Sequence, residues 1–344
     1  MKNKKHTYTK IIQTGLMAVL GGLLVACSND SGESIESDNE LSLVSLTRST
    51  TPFTATDDYS PIGVFLVKNG TNGLETQSGR FIYRSGENLW KSSIEVTPNS
   101  NYVLFGYAPA DAATATLSNV STPSIYSSAT LTFSSLPAVS SKDICFVVGV
   151  QQVNSKTAEK NIPLGQFSFT GKSADNYVNL LMDHVYAAVC LQMTLDSDYA
   201  QLRNIKIRKL ELQATASTAT ATIALASNPT RTSPVQSVTY SNPTGEQSSA
   251  TFFDSTEGVE LSATEVKEAT CCFVPNLKNN LTLKTTYDVY DRNGNKIGER
   301  TATNKLPSLS ASRGQRVNLS LTIAPTYLYV LSDPDLDKPM VVVN

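Results

Sequence analysis

Histidine is nearly absent from this 344-residue sequence, which has only His6 and His184. His6 lies in an N-terminal signal-like segment, so a processed chain keeps only His184. One histidine rules out a multi-histidine metal site within a single chain, and any Ser-His-Asp or Cys-His relay would have to use His184. Because His184 precedes an alternating, strand-like run, a structural role fits it better than a catalytic one. A basic surplus is missing too: 28 Lys and Arg face 30 Asp and Glu, a formal net charge of -2. That balance leaves no electrostatic footprint for nucleic acid. Phosphate-cradling glycine loops and Cys-x-x-Cys pairs are also lacking. Asp291-Arg-Asn-Gly-Asn-Lys-Ile-Gly-Glu299 has a faint outline of a calcium loop. Its Gly294 comes fourth, where such loops need a sixth-position glycine, and no helices flank it, so it reads as a hairpin turn. No metal and no cofactor are expected. Apart from Cys27 there are four cysteines. Cys145 and Cys190 sit in apolar runs as buried thiols, and the adjacent Cys271 and Cys272 point to opposite faces of a strand, so no disulfide framework is expected. The single tryptophan, Trp90 in Asn88-Leu-Trp90, reads as core, whereas a carbohydrate-binding face would present several aromatic platforms. The chain is not expected to be an enzyme, although carboxylates brought together in three dimensions leave a hydrolase open as a third reading.

Long hydrophobic runs are confined to the N-terminus. Lys2, Lys4, Lys5 and Lys10 precede the apolar, small-residue stretch from Ile11 to Ala26, which ends in Leu24-Val25-Ala26-Cys27. The stretch is short for a membrane-spanning helix and fits an export signal. Leu-Val-Ala-Cys resembles the lipobox of bacterial lipoproteins, in which the cysteine thiol carries a diacylglycerol. Residues 1–27 are therefore expected to be a lipoprotein signal with Cys27 as the lipidation site, and acylation with more than one chain holds a protein to a membrane without a spanning helix. The following Ser28–Glu40 contains Asp30, Glu33, Glu36, Asp38 and Glu40 and no basic residue, as expected of a solvated tether.

Beyond the tether, apolar runs are short, rich in β-branched and aromatic residues, and bounded by Gly, Pro, Asn, Ser or Thr. Examples are Pro61–Val67, Tyr102–Tyr107, Ile144–Val150, Ala188–Leu195, Ile205–Leu212 and Leu281–Tyr287. The cleanest alternation is in Val317–Ile323, with Val317, Leu319, Leu321 and Ile323 inward and Asn318, Ser320 and Thr322 outward. No long helical pattern is present. The expectation is an all-β chain of two antiparallel sandwiches, about 150 residues each, at 49–184 and 185–344.

Two end segments stand out. Residues 28–48 join the acidic leader to a β-type run, Leu41-Ser-Leu-Val-Ser-Leu-Thr47, that stops at Arg48 in a Ser/Thr-rich stretch open to proteases. At the other end Tyr327-Leu328-Tyr329-Val330-Leu331 and Met340-Val341-Val342-Val343 flank an acidic turn at 332–337. An ordinary edge strand and closing hairpin account for both. So does strand complementation: a cut after Arg48 would free Leu41, Leu43, Val44 and Leu46, and a strand from the 326–344 region of another subunit would fill the groove. Head-to-tail contacts of that kind propagate as filaments.

Several motifs together resemble the fimbrillins of the Bacteroidetes, the acylated precursors of type V pilins. They are the lipobox at Cys27, Arg48-Ser-Thr before a strand, Tyr59-Ser-Pro-Ile-Gly-Val-Phe65, Phe105-Gly-Tyr-Ala-Pro109, Asp183-His184-Val185 and Gly314-Gln-Arg-Val-Asn-Leu-Ser-Leu321. The acidic stretch after Cys27 also resembles the surface-export signal of lipoproteins in that phylum, and Asp254-Ser255-Thr256 resembles its O-glycosylation acceptor. The resemblance implies transthyretin-like sandwich domains in tandem, an outer-membrane lipid anchor on the precursor, and trimming at Arg48 by an arginine- or lysine-specific maturation protease. It further implies a structural, adhesive role at the cell surface, with other fimbrial subunits as partners in a homopolymer with accessory pilins. A stalk position is favoured over tip or anchor; a surface glycan-binding lipoprotein is the alternative. Neither the surface ligand nor the order of subunits follows from the sequence.

Overall fold

The computed structural model describes residues 39–48, 59–121, 126–174, 176–227, 233–275, 277, 281–306, 309–327 and 334–343. Cys27 and the acidic leader lie outside them. The described residues are almost wholly strands and turns, and their one helical element is a single 3-10 turn at Tyr199–Gln201.

In chain order the strands are β1 (Glu40–Arg48), β2 (Ile62–Gly70), β3 (Gly73–Arg84), β4 (Leu89–Glu95), β5 (Asn101–Ala108), β6 (Thr116–Ser118) and β7 (Ser128–Pro137). Next come β8 (Val139–Ser140), β9 (Cys145–Val153), β10 (Ser168–Thr170), β11 (Asn176–His184), β12 (Ala187–Leu195), β13 (Asn204–Ala214) and β14 (Thr218–Ala226). The last are β15 (Val235–Tyr240), β16 (Ser248–Glu260), β17 (Lys267–Phe273), β18 (Leu281–Tyr290), β19 (Lys296–Lys305), β20 (Arg316–Tyr327) and β21 (Pro334–Val343).

They assemble into four sheets. The largest has eight strands in the order β10-β5-β2-β3-β4-β1-β11-β9, and an extra β5–β9 pairing closes it into a barrel-like sheet. Tyr107 opposite Phe146 and Ala108 opposite Cys145 make that closure. A five-stranded sheet runs β21-β20-β12-β17-β8, and the two four-stranded sheets run β16-β13-β18-β19 and β15-β14-β7-β6. Most pairs are antiparallel as expected, but β1–β11 and β12–β20 are parallel. Parallel neighbours need a long crossover, and both pairs join strands far apart in sequence.

The expected boundary between 184 and 185 falls in the short turn linking β11 to β12. Pairing nevertheless crosses it, since β7 pairs with β14 and β8 with β17. One hydrophobic core unites residues of all four sheets, among them Leu43, Leu131, Val189 and Leu210, each 0% exposed. In β20 the expected alternation is present: Leu319, Leu321 and Ile323 are buried, Asn318 and Ser320 are exposed, and Val317 is half-buried. Trp90 is in the core. Cys145, Cys190, Cys271 and Cys272 are buried thiols outside any disulfide.

The Asp291–Asn295 segment forms the turn between β18 and β19. Asp291 Oδ1 accepts the backbone N–H groups of Asn293 (2.9 Å) and Asn295 (2.8 Å), and Oδ2 accepts Asn295 Nδ2 (2.9 Å). Gly294 takes a φ of 83°, which a side chain would strain. Both carboxylate oxygens are thus used in the turn, where these hydrogen bonds hold the Asp291 carboxyl below its ordinary value.

Candidate strand-exchange site

β1 is an interior strand of the barrel-like sheet. It runs antiparallel to β4 from Glu40 to Leu43 and parallel to β11 from Leu41 to Arg48, so both backbone edges are engaged over its first half. Leu41 and Leu43 are each 0% exposed and belong to the core. Ser42 and Ser45 are buried too, which makes β1 enclosed on both faces over this length. The β11 ladder slips between Leu43 and Ser45, so Val44 is the extra residue of a bulge and is only half-buried, like Leu46 and Thr47.

Buried serines need partners, and Ser45 has one: its hydroxyl donates to Asn179 Oδ1 at 2.7 Å, and Asn179 Nδ2 donates to Gln151 Oε1 at 3.2 Å. This polar chain links β1 through β11 to β9 and fixes the register beyond the bulge. Asn179, fully buried in an apolar strand, did not stand out in the sequence; its one signal was an amide inside an otherwise apolar run. At the start of β1, Val96 N–H donates to Asn39 O at 2.8 Å and Lys91 Nζ lies 3.9 Å from a Glu40 carboxylate oxygen. Arg48 is the last residue of the strand, opposite Met182, and residues 49–58 beyond it lie outside the described part.

Removing β1 would strip the inner edges of β4 and β11 of their hydrogen-bond partners and empty the sites of Leu41 and Leu43. Each fully buried leucine contributes roughly 1.5–3 kcal/mol. A groove of that kind is a template for another strand.

β21 is an edge strand whose one ladder is to β20, with Leu321 opposite Val343, Ile323 opposite Val341 and Ala324 opposite Met340. Val341 is 6% exposed, and its carbonyl accepts Asn304 Nδ2 at 2.7 Å; Met340 is 41% exposed, and Val342 and Val343 are half-buried. Of the acidic turn expected at 332–337, residues 332–333 lie outside the described residues, and 334–337 belong to β21. Proline is tolerated there because an outer strand leaves one row of N–H groups unpaired. Tyr327 closes β20, while Leu328, Tyr329, Val330 and Leu331 lie outside the described residues.

An aromatic cluster lies beside β1. Tyr59, 62% exposed, lies over Tyr83 at 4.1 Å with the rings tilted by 35°, and Tyr83 meets Trp90 edge-on at 4.8 Å. His184, the only histidine among the described residues, is fully buried beside Asp143 and Cys145, with Nδ1 2.6 Å from Asp143 Oδ2 and 3.6 Å from Cys145 Sγ. In a nucleophilic relay the acid and the thiol would address opposite ring nitrogens; here both face Nδ1, out of reach of a substrate. Asp254-Ser255-Thr256 lies in β16 where its ladder to β13 breaks, with Gly258 N–H donating to Ser255 Oγ at 3.0 Å.

No family model and no curated protein matches the sequence. Solved structures do. A candidate cell adhesion protein of Bacteroides fragilis is similar over 86% of each chain, at 11% identity and a TM-score of 0.43. A fimbrial protein of Bacteroides vulgatus covers 89% of this chain and 98% of its own, at 15% identity and a TM-score of 0.34. The fimbrial anchor protein Mfa2 of Porphyromonas gingivalis covers 89% and 96%, at 10% identity and a TM-score of 0.27.

Proposed function

We propose that the chain is a structural subunit of a cell-surface fimbria, built in the stalk by strand exchange between copies. The observation that carries this reading is the position of β1: a terminal strand held between β4 and β11, ending at the arginine after which a protease would cut. A cut after Arg48 breaks no ladder hydrogen bond among the described residues, so β1 stays in place until another strand displaces it. That makes the precursor safe during export and the trimmed chain competent to assemble.

β21 suits the donor role. Met340-Val-Val-Val343 is apolar on both faces, yet at the sheet edge Met340 faces solvent. A groove enclosed on both faces, such as the one under β1, gives those side chains the burial that the edge does not. In this reading the lipid on Cys27 tethers the precursor to the outer membrane and leaves with β1 on trimming, and residues 49–184 and 185–344 act as tandem transthyretin-like units. Other fimbrial subunits and the maturation protease are the partners.

The test is limited digestion of the purified precursor with an arginine-specific protease. One cut after Arg48 should yield polymers in a concentration-dependent way, and deleting residues 334–344 should abolish them. A trimmed chain that stays monomeric at high concentration contradicts the reading. The exposed Tyr59 on its Tyr83–Trp90 base supports one rival, a glycan-binding surface protein. Polysaccharide binding by the uncut monomer, lost in Tyr59→Ala, would favour that rival.

A further inference from the structure

Among the described residues, one cluster brings together three different metal-ligating side chains: Asp143, Cys145 and His184. Cys145 opens β9 and His184 closes β11, and the two are direct partners in the antiparallel ladder, so the backbone itself sets thiol and imidazole side by side. Asp143 reaches in from the turn before β9. Its Oδ2 lies 3.2 Å from Cys145 Sγ and 2.6 Å from His184 Nδ1, and Sγ lies 3.6 Å from Nδ1. Cys145 and His184 are 0% exposed, and the Asp143 side chain is 3% exposed. Asp143 Oδ1 is buried with no hydrogen-bond partner, an arrangement costly enough to call for an explanation.

We propose that Asp143, Cys145 and His184 form a structural site for one thiophilic divalent cation, zinc being the ion that suits the donor set. The reading is independent of strand exchange. Tetrahedral zinc, with bonds of about 2.3 Å to sulfur and about 2.0–2.1 Å to nitrogen and oxygen, holds its donor atoms roughly 3.3–3.6 Å apart. The sulfur–nitrogen and sulfur–oxygen separations of 3.6 and 3.2 Å already meet that requirement within a few tenths of an ångström. Only the carboxylate–imidazole hydrogen bond must open, by about 0.7 Å. Asp143 Oδ1 then completes the shell as the second oxygen of a bidentate carboxylate.

Charge argues the same way. A thiolate and a carboxylate neutralise a dication, so the occupied site carries no net charge into the core, as a fully buried site requires. Binding releases the Cys145 thiol proton to solvent, and the imidazole proton moves from Nδ1 to Nε2, leaving a neutral ligand. The site lies at the junction of β11 and β12, where Arg313 donates to His184 O at 2.9 Å and pairs with Asp183 at 2.5 Å. An ion there would fasten the end of β11, one wall of the β1 groove, to the start of β9 and the turn before it.

Because the site is closed, it is loaded during folding. The full chain is unfolded and refolded with Co2+ as the probe, and thiolate-to-cobalt charge-transfer absorption and bound metal per chain are measured. The expected result is one cobalt per chain with the charge-transfer band. Cys145→Ser should lose the band and Cys271→Ser, whose thiol lies elsewhere in the core, should keep it. Asp143→Asn should weaken cobalt retention at least tenfold while leaving the sulfur band, which keeps the test decisive if Cys145→Ser fails to fold. Refolded chain without stoichiometric cobalt, or a band that survives in Cys145→Ser, overturns the proposal. So does chain that refolds fully in chelator and is no more thermally stable when refolded with Zn2+ instead.

Discussion

Leu43 of β1 stands directly opposite Trp90 of β4, and Trp90 is the only tryptophan in the chain. The strand that the fimbrial reading removes therefore covers the one natural fluorophore of its class. Trp90 is 7% exposed with β1 in place. Emission should stay unchanged when the backbone is cut after Arg48, and should shift to the red when the β1 peptide is then stripped off. An unchanged spectrum after the peptide has left would place β1 elsewhere.

The same contact sets a stability prediction. Leu43→Ala should destabilise the uncut chain by about 2–5 kcal/mol, the usual cost of emptying a leucine site in a core. Val44→Ala, at the half-buried bulge position, should cost much less. Urea denaturation of both variants measures the difference. Equal losses would mean that β1 lies in another register.

Thiol chemistry offers an independent check of the core. Burial pushes the Cys271 thiol up to about 12 and also raises that of Cys190. Since the thiolate is the reactive form, Cys145, Cys190, Cys271 and Cys272 should resist thiol reagents in the native chain and react in denaturant. Fast native labelling at any of the four, read by peptide mass spectrometry, would contradict the packing described here.

The Asp291 turn predicts a pH effect. Its folded carboxyl is held below the ordinary 3.8, chiefly by the hydrogen bonds from Asn295. A lowered pKa stabilises the fold fully above the unfolded value and loses that contribution as pH falls through the folded one. Asp291→Ala should therefore lower stability at neutral pH and flatten its decline below about pH 4. Thermal melts across that range measure it, and an unaltered slope would show that the turn does not bind the carboxylate.

Local patterning carried much of the fold. The alternation of Val317–Ile323 marked β20, and Asn293-Gly294 marked the β18–β19 hairpin, because side-chain period and positive φ are properties of a few adjacent residues. The parallel pairing of β1 with β11 was not legible: the Ser45–Asn179 contact spans 134 positions, and nothing in either strand names its partner. The acidic turn was overread because Asp and Pro favour turns, while an outer strand tolerates both. His184 read as a structural residue, but its neighbours Asp143 and Cys145 lie about forty positions away and are joined to it only by the β9–β11 ladder.

The most direct test of the central claim locks β1 in place. Ser45 and Asn179 are ladder partners whose side chains already touch, so Ser45→Cys with Asn179→Cys should form a disulfide between β1 and β11. The oxidised double variant, cut after Arg48, should remain monomeric by size-exclusion chromatography and should polymerise once the disulfide is reduced. Polymerisation of the oxidised, cut protein at the rate of the reduced form would contradict assembly by exchange of β1.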